Sequence, residues 1–134
     1  MREGQNNVEK IKLNTAAVLR LLTPLDAPDI FNAIDTQRRY LAQWLPFVSG
    51  TRTIEDTLRY VRTSMLDFER GDYAFVIVCE EQFAGLIGFK DTDRENRRTE
   101  LGYWLREEYQ GRGLMTESVK ALCRWAFRKQ RMFR

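Results

Sequence analysis

The chain has 134 residues, of which 43% are hydrophobic and 31% are charged, a balance typical of one soluble globular domain with its own core. Its net charge of +3 is small and dispersed along the sequence, which argues against a nucleic-acid partner. The sequence contains no histidine, which excludes His-based catalytic triads and argues against a zinc or other transition-metal site.

The sequence gives no sign of a membrane segment or an oxidising compartment. No apolar run is long enough to span a membrane, and residues 1–14 lack the apolar core of a signal peptide. Cys79 and Cys123 lie in apolar contexts, which predicts two buried free thiols in a reducing compartment. We therefore expect a cytoplasmic protein.

The first part of the chain predicts a tail, a strand and a helix. Residues 1–14 are polar, and we expect a flexible tail there, ahead of a single domain at 15–134. The stretch 17–22 predicts the first strand. Asp26 is a typical N-cap for the first helix, whose apolar spacing continues until Pro46 ends it.

A second helix and three strands follow. Thr53, with an acidic residue three positions later, has the capping-box pattern, and Gly71 is a natural helix end. The apolar period then changes from helical to alternating, which predicts strands at 73–79, 83–90 and 99–105. The short connections between these strands predict an antiparallel meander.

The stretch 99–115 has the most specific pattern. Its strand runs into a polar loop that contains Gly111 and Gly113, and a helical apolar period begins at Met115. The first turn of a helix carries backbone N–H groups without intrahelical partners, and glycine lets a ligand approach the backbone closely. This order of strand, glycine-rich loop and helix predicts an anion site suited to phosphate.

Two well-known phosphate motifs are absent from this stretch. No Gly-Lys pair occurs, which excludes the P-loop pattern, and the third glycine of the dinucleotide fingerprint would fall on Thr116. A simple helix-entry turn is the other interpretation, but one glycine would suffice for it. We therefore expect phosphate binding at Gly111 and Gly113, with Arg112 as a mobile cation at the rim.

The run from Gln110 to Met115, Gln-Gly-Arg-Gly-Leu-Met, resembles the acyl-CoA motif of GNAT-superfamily N-acetyltransferases, usually written Q/R-x-x-G-x-G/A. The required glycine falls on Gly113, whereas Met115 departs from the small residue expected at the last position. The longer string Gly-Tyr-Trp-Leu-x-x-x-x-Gln-Gly-x-Gly is similar to the RimJ/RimL-like branch, which acetylates protein N-termini and related amines.

This resemblance implies an α+β (α/β) fold with a central, mostly antiparallel sheet flanked by helices, in the order β-α-α-β-β-β-α. In the family a fifth strand follows the helix that begins near Met115, and this sequence stops before it. We therefore expect a fold truncated before the fifth strand, the N-terminal portion of the GNAT domain. The exposed edge of its last strand could be completed by a homodimer partner or another chain.

The resemblance also assigns roles to individual residues, with acetyl-CoA as cosubstrate and no metal. Glu100 is the candidate general base, and the backbone N–H of Leu105 is the candidate donor to the thioester carbonyl. The pantetheine arm would contact Trp104, Leu105 and Arg106. The pyrophosphate would contact the loop and first helical turn, namely Gln110, Gly111, Arg112, Gly113, Leu114 and Met115.

Plainer interpretations remain for two of these side chains. Glu100 could be a strand-end residue paired with Arg97 or Arg98, and Trp104 could simply pack in the core. The function implied is acetyl transfer from acetyl-CoA to a primary amine, such as a protein N-terminal α-amine. The alternative is a non-catalytic CoA-binding or interaction module derived from such an enzyme.

Overall fold

The computed structural model describes residues 10–13 and 16–132, with side chains as far as Lys129. Strands and helices occur in the order β1 (Lys10–Lys12), β2 (Ala17–Leu21), α1 (Ala27–Thr36), α2 (Arg38–Leu41), α3 (Ile54–Leu66), β3 (Ala74–Cys79), β4 (Gln82–Asp93), β5 (Arg98–Leu105) and α4 (Leu114–Met132). Short 3-10 turns lie at Pro24–Asp26, Pro46–Gly50, Phe68–Arg70 and Glu107–Tyr109. None of the helices in the described ranges is long and apolar enough to cross a membrane.

The five described strands form one antiparallel sheet in which spatial order follows chain order. The predicted α+β architecture is confirmed, with one strand more than the sequence pattern indicated. That strand, β1, lies inside the stretch predicted as a flexible tail, so the prediction was wrong for residues 10–12. Ile11 explains the pairing, because it is buried in the core while its two lysine neighbours are exposed. Residues 1–9 and 14 of the predicted tail lie outside the described residues.

Helices cover both faces of the sheet, and each face has its own apolar cluster. Helix α4 packs on one face, where Trp125 meets the rings of Tyr73 and Phe75 edge-to-face at centroid distances of 5.2 and 5.1 Å. Helices α1 and α3 pack on the other face against β3 and β4. Strand β5 alternates between the two clusters as predicted, because Leu105 faces α4 and Trp104 faces α1 and α3.

The helix predicted from Asp26 to Pro46 is two helices. Gln37 interrupts it with φ −128° and ψ 36°, and α2 begins at the next residue. Arg38 then donates to the carbonyls of Val48 and Thr51 at 3.0 and 2.6 Å, which ties α2 to the following 3-10 turn.

The two predicted helix caps have different outcomes. Asp26 precedes α1, but its side chain does not cap that helix. Its carboxylate instead accepts the backbone N–H of Thr23 at 2.9 Å and pairs with Arg20 at 2.6 Å. The capping box at Thr53 is confirmed, because its hydroxyl accepts the backbone N–H of Asp56 at 3.2 Å.

Candidate functional site

The end of β5 presents backbone polar groups to an open sheet edge. The N–H of Arg106 donates to the carbonyl of Ala84 at 2.8 Å, so the antiparallel ladder on that side continues past the last strand residue. Because donors alternate between the two sides of a strand, the N–H and C=O of Leu105 point away from β4. Within the described residues no strand pairs with that edge.

The loop after β5 has two residues in the left-handed region, Gly111 at φ 77° and Gly113 at φ 76°. A Cβ added to either would meet nothing within 4 Å, so both glycines face open space. The first backbone bond of α4 runs from Glu117 N–H to Gly113 C=O at 3.1 Å. In the described part of the chain the backbone N–H groups of residues 111–116 therefore have no backbone acceptor, an arrangement suited to an anion.

Two arginines flank this loop. Arg106 pairs with Glu108 at 3.1 Å, and its buried Nε has no hydrogen-bond partner in the described chain. Arg112 is half exposed, lies 3.9 Å from a Glu80 oxygen, and places its guanidinium 5.2 Å from the ring centroid of Tyr109. Both cations can add attraction for a polyanion to that of the backbone N–H groups.

Tyr109 anchors the loop to the apolar cluster beneath α4. Its ring is buried in the cluster under α4, and its N–H donates to the carbonyl of Arg106 at 3.0 Å. Burial raises the pKa of Tyr109 above its usual range, so the phenol stays neutral. Its position supports packing as its role.

A side chain far away in sequence holds the 3-10 turn that starts the loop. Gln37 Oε1 accepts the N–H of Glu107 at 2.9 Å, and Gln37 Nε2 donates to Glu108 Oε1 at 2.8 Å. Tyr40, on α2, lies near the side chain of Gln110; burial raises the pKa of its phenol, and Gln110 lowers it by a smaller amount. Sequence reasoning missed both contacts, since no local pattern links residues 70 positions apart.

The predicted residues from 104 to 115 lie in one continuous stretch of the structure, from the end of β5 to the first turn of α4. Leu114 is buried and Met115 is half-buried against the same cluster, so their side chains anchor the helix start. Trp104 packs edge-to-face with Phe83 at a centroid distance of 5.9 Å, in agreement with a packing role for its ring.

Glu100 lies apart from this group. It is exposed, and it pairs in register with Lys90 near the start of β5. Leu105 is five positions further along the extended strand, about 16 Å away at ~3.3 Å per residue. No salt bridge joins it to Arg97 or Arg98, so the described chain lacks the pairing considered as an alternative.

Comparison with known proteins identifies the family of this chain. Residues 17–134 match the family model described as an acetyltransferase (GNAT) domain. The chain is 29% identical over 116 residues to the ribosomal-protein-serine acetyltransferase of Escherichia coli, covering 85% of this chain. It is 26% identical over 136 residues to the [ribosomal protein uS5]-alanine N-acetyltransferase of the same organism, covering 97% of this chain and 70% of the relative.

A solved structure of RimL, the ribosomal L7/L12 alpha-N-protein acetyltransferase, in complex with coenzyme A superposes with a TM-score of 0.82 at 28% identity. The match covers 86% of this chain and 66% of that one. The chain likewise spans 64% of the length of the E. coli serine acetyltransferase. Since the family model matches nearly the whole described range, the chain belongs to the GNAT acetyltransferase family.

Proposed function

We propose that this chain is the acetyl-CoA-binding part of an N-acetyltransferase that moves an acetyl group to a primary amine, such as a protein N-terminal α-amine. One observation carries the proposal: the outward N–H of Leu105 is followed within a few residues by a glycine loop with open anion-binding amides. These two features match two parts of an acyl-CoA, the thioester and the pyrophosphate, which lie at opposite ends of its pantetheine arm. The relatives are named as acetyltransferases of ribosomal proteins, which supports N-acetyl transfer as the reaction and the cytoplasm as its location.

The cofactor would lie along the stretch from β5 to α4. The pyrophosphate binds the N–H groups from Gly111 to Met115, with Arg112 neutralising charge and Gln110 shaping the loop. The pantetheine arm follows the open edge of β5 past Trp104 and Arg106. The Leu105 N–H donates to the thioester carbonyl, and this hydrogen bond strengthens as the oxygen gains charge in the tetrahedral transition state.

The acceptor amine has to lose a proton to attack. A terminal α-amine has a pKa of about 8 and a lysine amine about 10.4, so a base assists the reaction near neutral pH. Glu100 is our candidate for this role. Because it lies about 16 Å along the strand from Leu105, it would act through intervening water.

We also propose that the open edge of β5 is covered by a second copy of the chain or by another chain. A groove of about 420 Å³ lies between α4 and the end of the sheet where β4 turns into β5, and Phe89, Cys123 and Ala126 contribute to its wall. Phe127, also in the wall, is 70% exposed. Exposed apolar surface and unpaired strand N–H and C=O groups each favour association.

The second candidate function is a non-catalytic CoA-binding or interaction module. The distance between Glu100 and Leu105 favours it, since no other carboxylate has been assigned as the base. Both candidate functions require the loop from Glu107 to Gly113, called the cofactor loop below, and both predict CoA binding. Release of free thiol from acetyl-CoA in the presence of a panel of amines separates them, because only the enzyme produces it.

A thermal-shift titration with acetyl-CoA, beside one with inorganic phosphate, tests the proposal. A ligand at 100 times its dissociation constant stabilises a protein by about 2.7 kcal/mol, which raises the melting temperature of a domain of this size by several degrees. We expect a saturable rise specific to acetyl-CoA. The absence of such a rise would contradict cofactor binding by this chain.

A further inference from the structure

The interruption between α1 and α2 places one side chain against the turn that begins the cofactor loop. Gln37 has a non-helical backbone, and its amide reaches the 3-10 turn at Glu107–Tyr109. This turn lies between the Leu105 N–H, where the thioester would bind, and the Gly111–Gly113 amides. A shift of the turn would therefore move the two ends of the proposed cofactor site relative to each other.

The chemistry of the turn determines how the Gln37 amide is oriented. The N–H of Glu107 can only donate, so it selects the amide oxygen, and the Glu108 carboxylate can only accept, so it selects the amide nitrogen. The two bonds form a fork that neither a carboxylate nor an ammonium could make. Arg106 adds a further bond to Glu108 at 3.1 Å.

A second contact joins the same two regions. The Gln110 side chain lies near Tyr40, one turn beyond Gln37 along α2, and Tyr40 meets Trp44 edge-to-face at a centroid distance of 4.8 Å. Trp44 is 59% exposed, so this segment also offers a surface for a ligand. Order in the cofactor loop and order in α2 are therefore physically linked.

We propose that Gln37 is a positioning residue that holds the cofactor loop in its binding conformation and couples it to α2. This inference rests on the proposed function, in which the loop binds acyl-CoA. Because coupling between two sites is reciprocal, occupancy of the loop should order α2, and anything bound to α2 should favour the loop conformation that binds CoA.

The test compares Gln37→Met with Gln43→Met, the same exchange at an exposed glutamine just beyond α2. Methionine keeps the length of the side chain and removes both hydrogen bonds. Amide hydrogen exchange of Arg106, Tyr109 and Gln110, whose N–H groups have backbone acceptors, should become roughly threefold to tenfold faster in the ligand-free Gln37→Met variant only. CoA affinity by calorimetry should fall by a similar factor, while the melting temperature changes little. CoA should slow exchange in α2 of the wild type and not of this variant.

A swap of partners distinguishes positioning from simple packing. Gln37→Glu places two carboxylates against each other and should loosen the loop. Combining Gln37→Glu with Glu108→Gln restores a donor and an acceptor with exchanged positions, and should restore slow exchange and CoA affinity. If Gln37→Met does not fold, this pair of variants decides the question.

Unchanged loop exchange in Gln37→Met, or failure of the swap to restore it, would overturn the inference. A uniform rise in exchange throughout the protein would do the same, since it would mean global destabilisation. If the wild-type chain binds no CoA, the proposed function fails, and exchange in the ligand-free loop still decides whether Gln37 holds it.

Discussion

Two turns of this molecule contain residues in the left-handed backbone region, but one turn has glutamates there and the other has glycines. The hairpin between β3 and β4 turns on Glu80 and Glu81, at φ 52° and 66°. The loop before α4 uses Gly111 and Gly113, at φ 77° and 76°. The hairpin shows that this fold tolerates residues other than glycine in the left-handed region where their side chains extend into solvent.

The glycines of the loop are not explained by crowding within the protein. A Cβ at either position would meet no protein atom within 4 Å. By contrast, a Cβ at Gly85 would lie 2.1 Å from the carbonyl oxygen of Trp104, so that glycine is required by packing. The loop glycines leave the space outside the protein free of side chains. A phosphate-binding loop needs such space, because the phosphate has to approach the backbone N–H groups closely.

The strongest test of this difference is Gly113→Val. The substitution forces a β-branched residue into the left-handed region, at a cost of about 1–2 kcal/mol, and puts methyl groups where the pyrophosphate would bind. We expect CoA affinity to fall about 100-fold or more, equivalent to about 2.7 kcal/mol, while circular dichroism remains native. Calorimetry with CoA measures the first effect.

Gly50→Val is the matched control for that experiment. A Cβ at Gly50 also meets nothing within 4 Å, and Gly50 is not in the left-handed region. This variant should bind CoA like the wild type. Undiminished affinity in Gly113→Val would contradict the assignment of the phosphate loop.

Arg112→Gln should have the next largest effect, since it removes one cation near the proposed pyrophosphate. We expect CoA affinity to fall several-fold at low salt, and the difference from the wild type to shrink in 0.5 M NaCl because salt screens exposed charges. Stability should fall by less than about 1 kcal/mol, because the ion pair with Glu80 is long and the contact with the Tyr109 ring involves a half-exposed guanidinium. Glu80→Gln is the counterpart and should leave CoA binding equal or slightly tighter.

The local character of the loop explains why the sequence predicted so much of it. The alternation of β5, the two glycines and the helical period after them follow one another directly along the chain, so each feature has a signal in its neighbours. Strand β1 has no such signal, because one buried residue, Ile11, is too little for a periodicity. The interruption at Gln37 also has none, since glutamine is a good helix former and its partners lie 70 residues away.

The hairpin should respond to glycine in the opposite way from the loop. Two-residue hairpins with both central residues at positive φ favour glycine at the second position, which Glu81 occupies. Glu81→Gly should therefore stabilise the protein, by up to about 1 kcal/mol, with a melting temperature higher by a few degrees. CoA affinity should not change. Lower stability would mean that the Glu81 side chain contributes more to the native state than its exposure indicates.

The smallest effect we expect is a dependence of loop order on pH. A hydrogen bond from its own backbone N–H, followed by the bond from Gln37, lowers the pKa of Glu108 below its usual range. A lowered pKa in the folded state means that these contacts stabilise the loop above the ordinary glutamate pKa of about 4.3, and that this contribution is lost as the pH falls through the folded value. Exchange of Arg106, Tyr109 and Gln110, corrected for its intrinsic pH dependence, should therefore rise on going from pH 6 to pH 3.5.

Glu108→Gln should remove that pH dependence and keep the loop ordered, because an amide at position 108 can still accept the bond from Gln37 and no longer titrates. Asp56 is a useful internal reference, since backbone hydrogen bonds from Arg52 and Thr53 lower its pKa at the start of α3, away from the loop. Acid loosening that appears at α3 and at the loop together, and persists in Glu108→Gln, would mean that other carboxylates control it. Faster exchange that is confined to the loop and absent from Glu108→Gln would identify Glu108 as the titrating group. The carboxylate that accepts the hydrogen bond from Gln37 would then also limit the pH range over which the loop stays ordered.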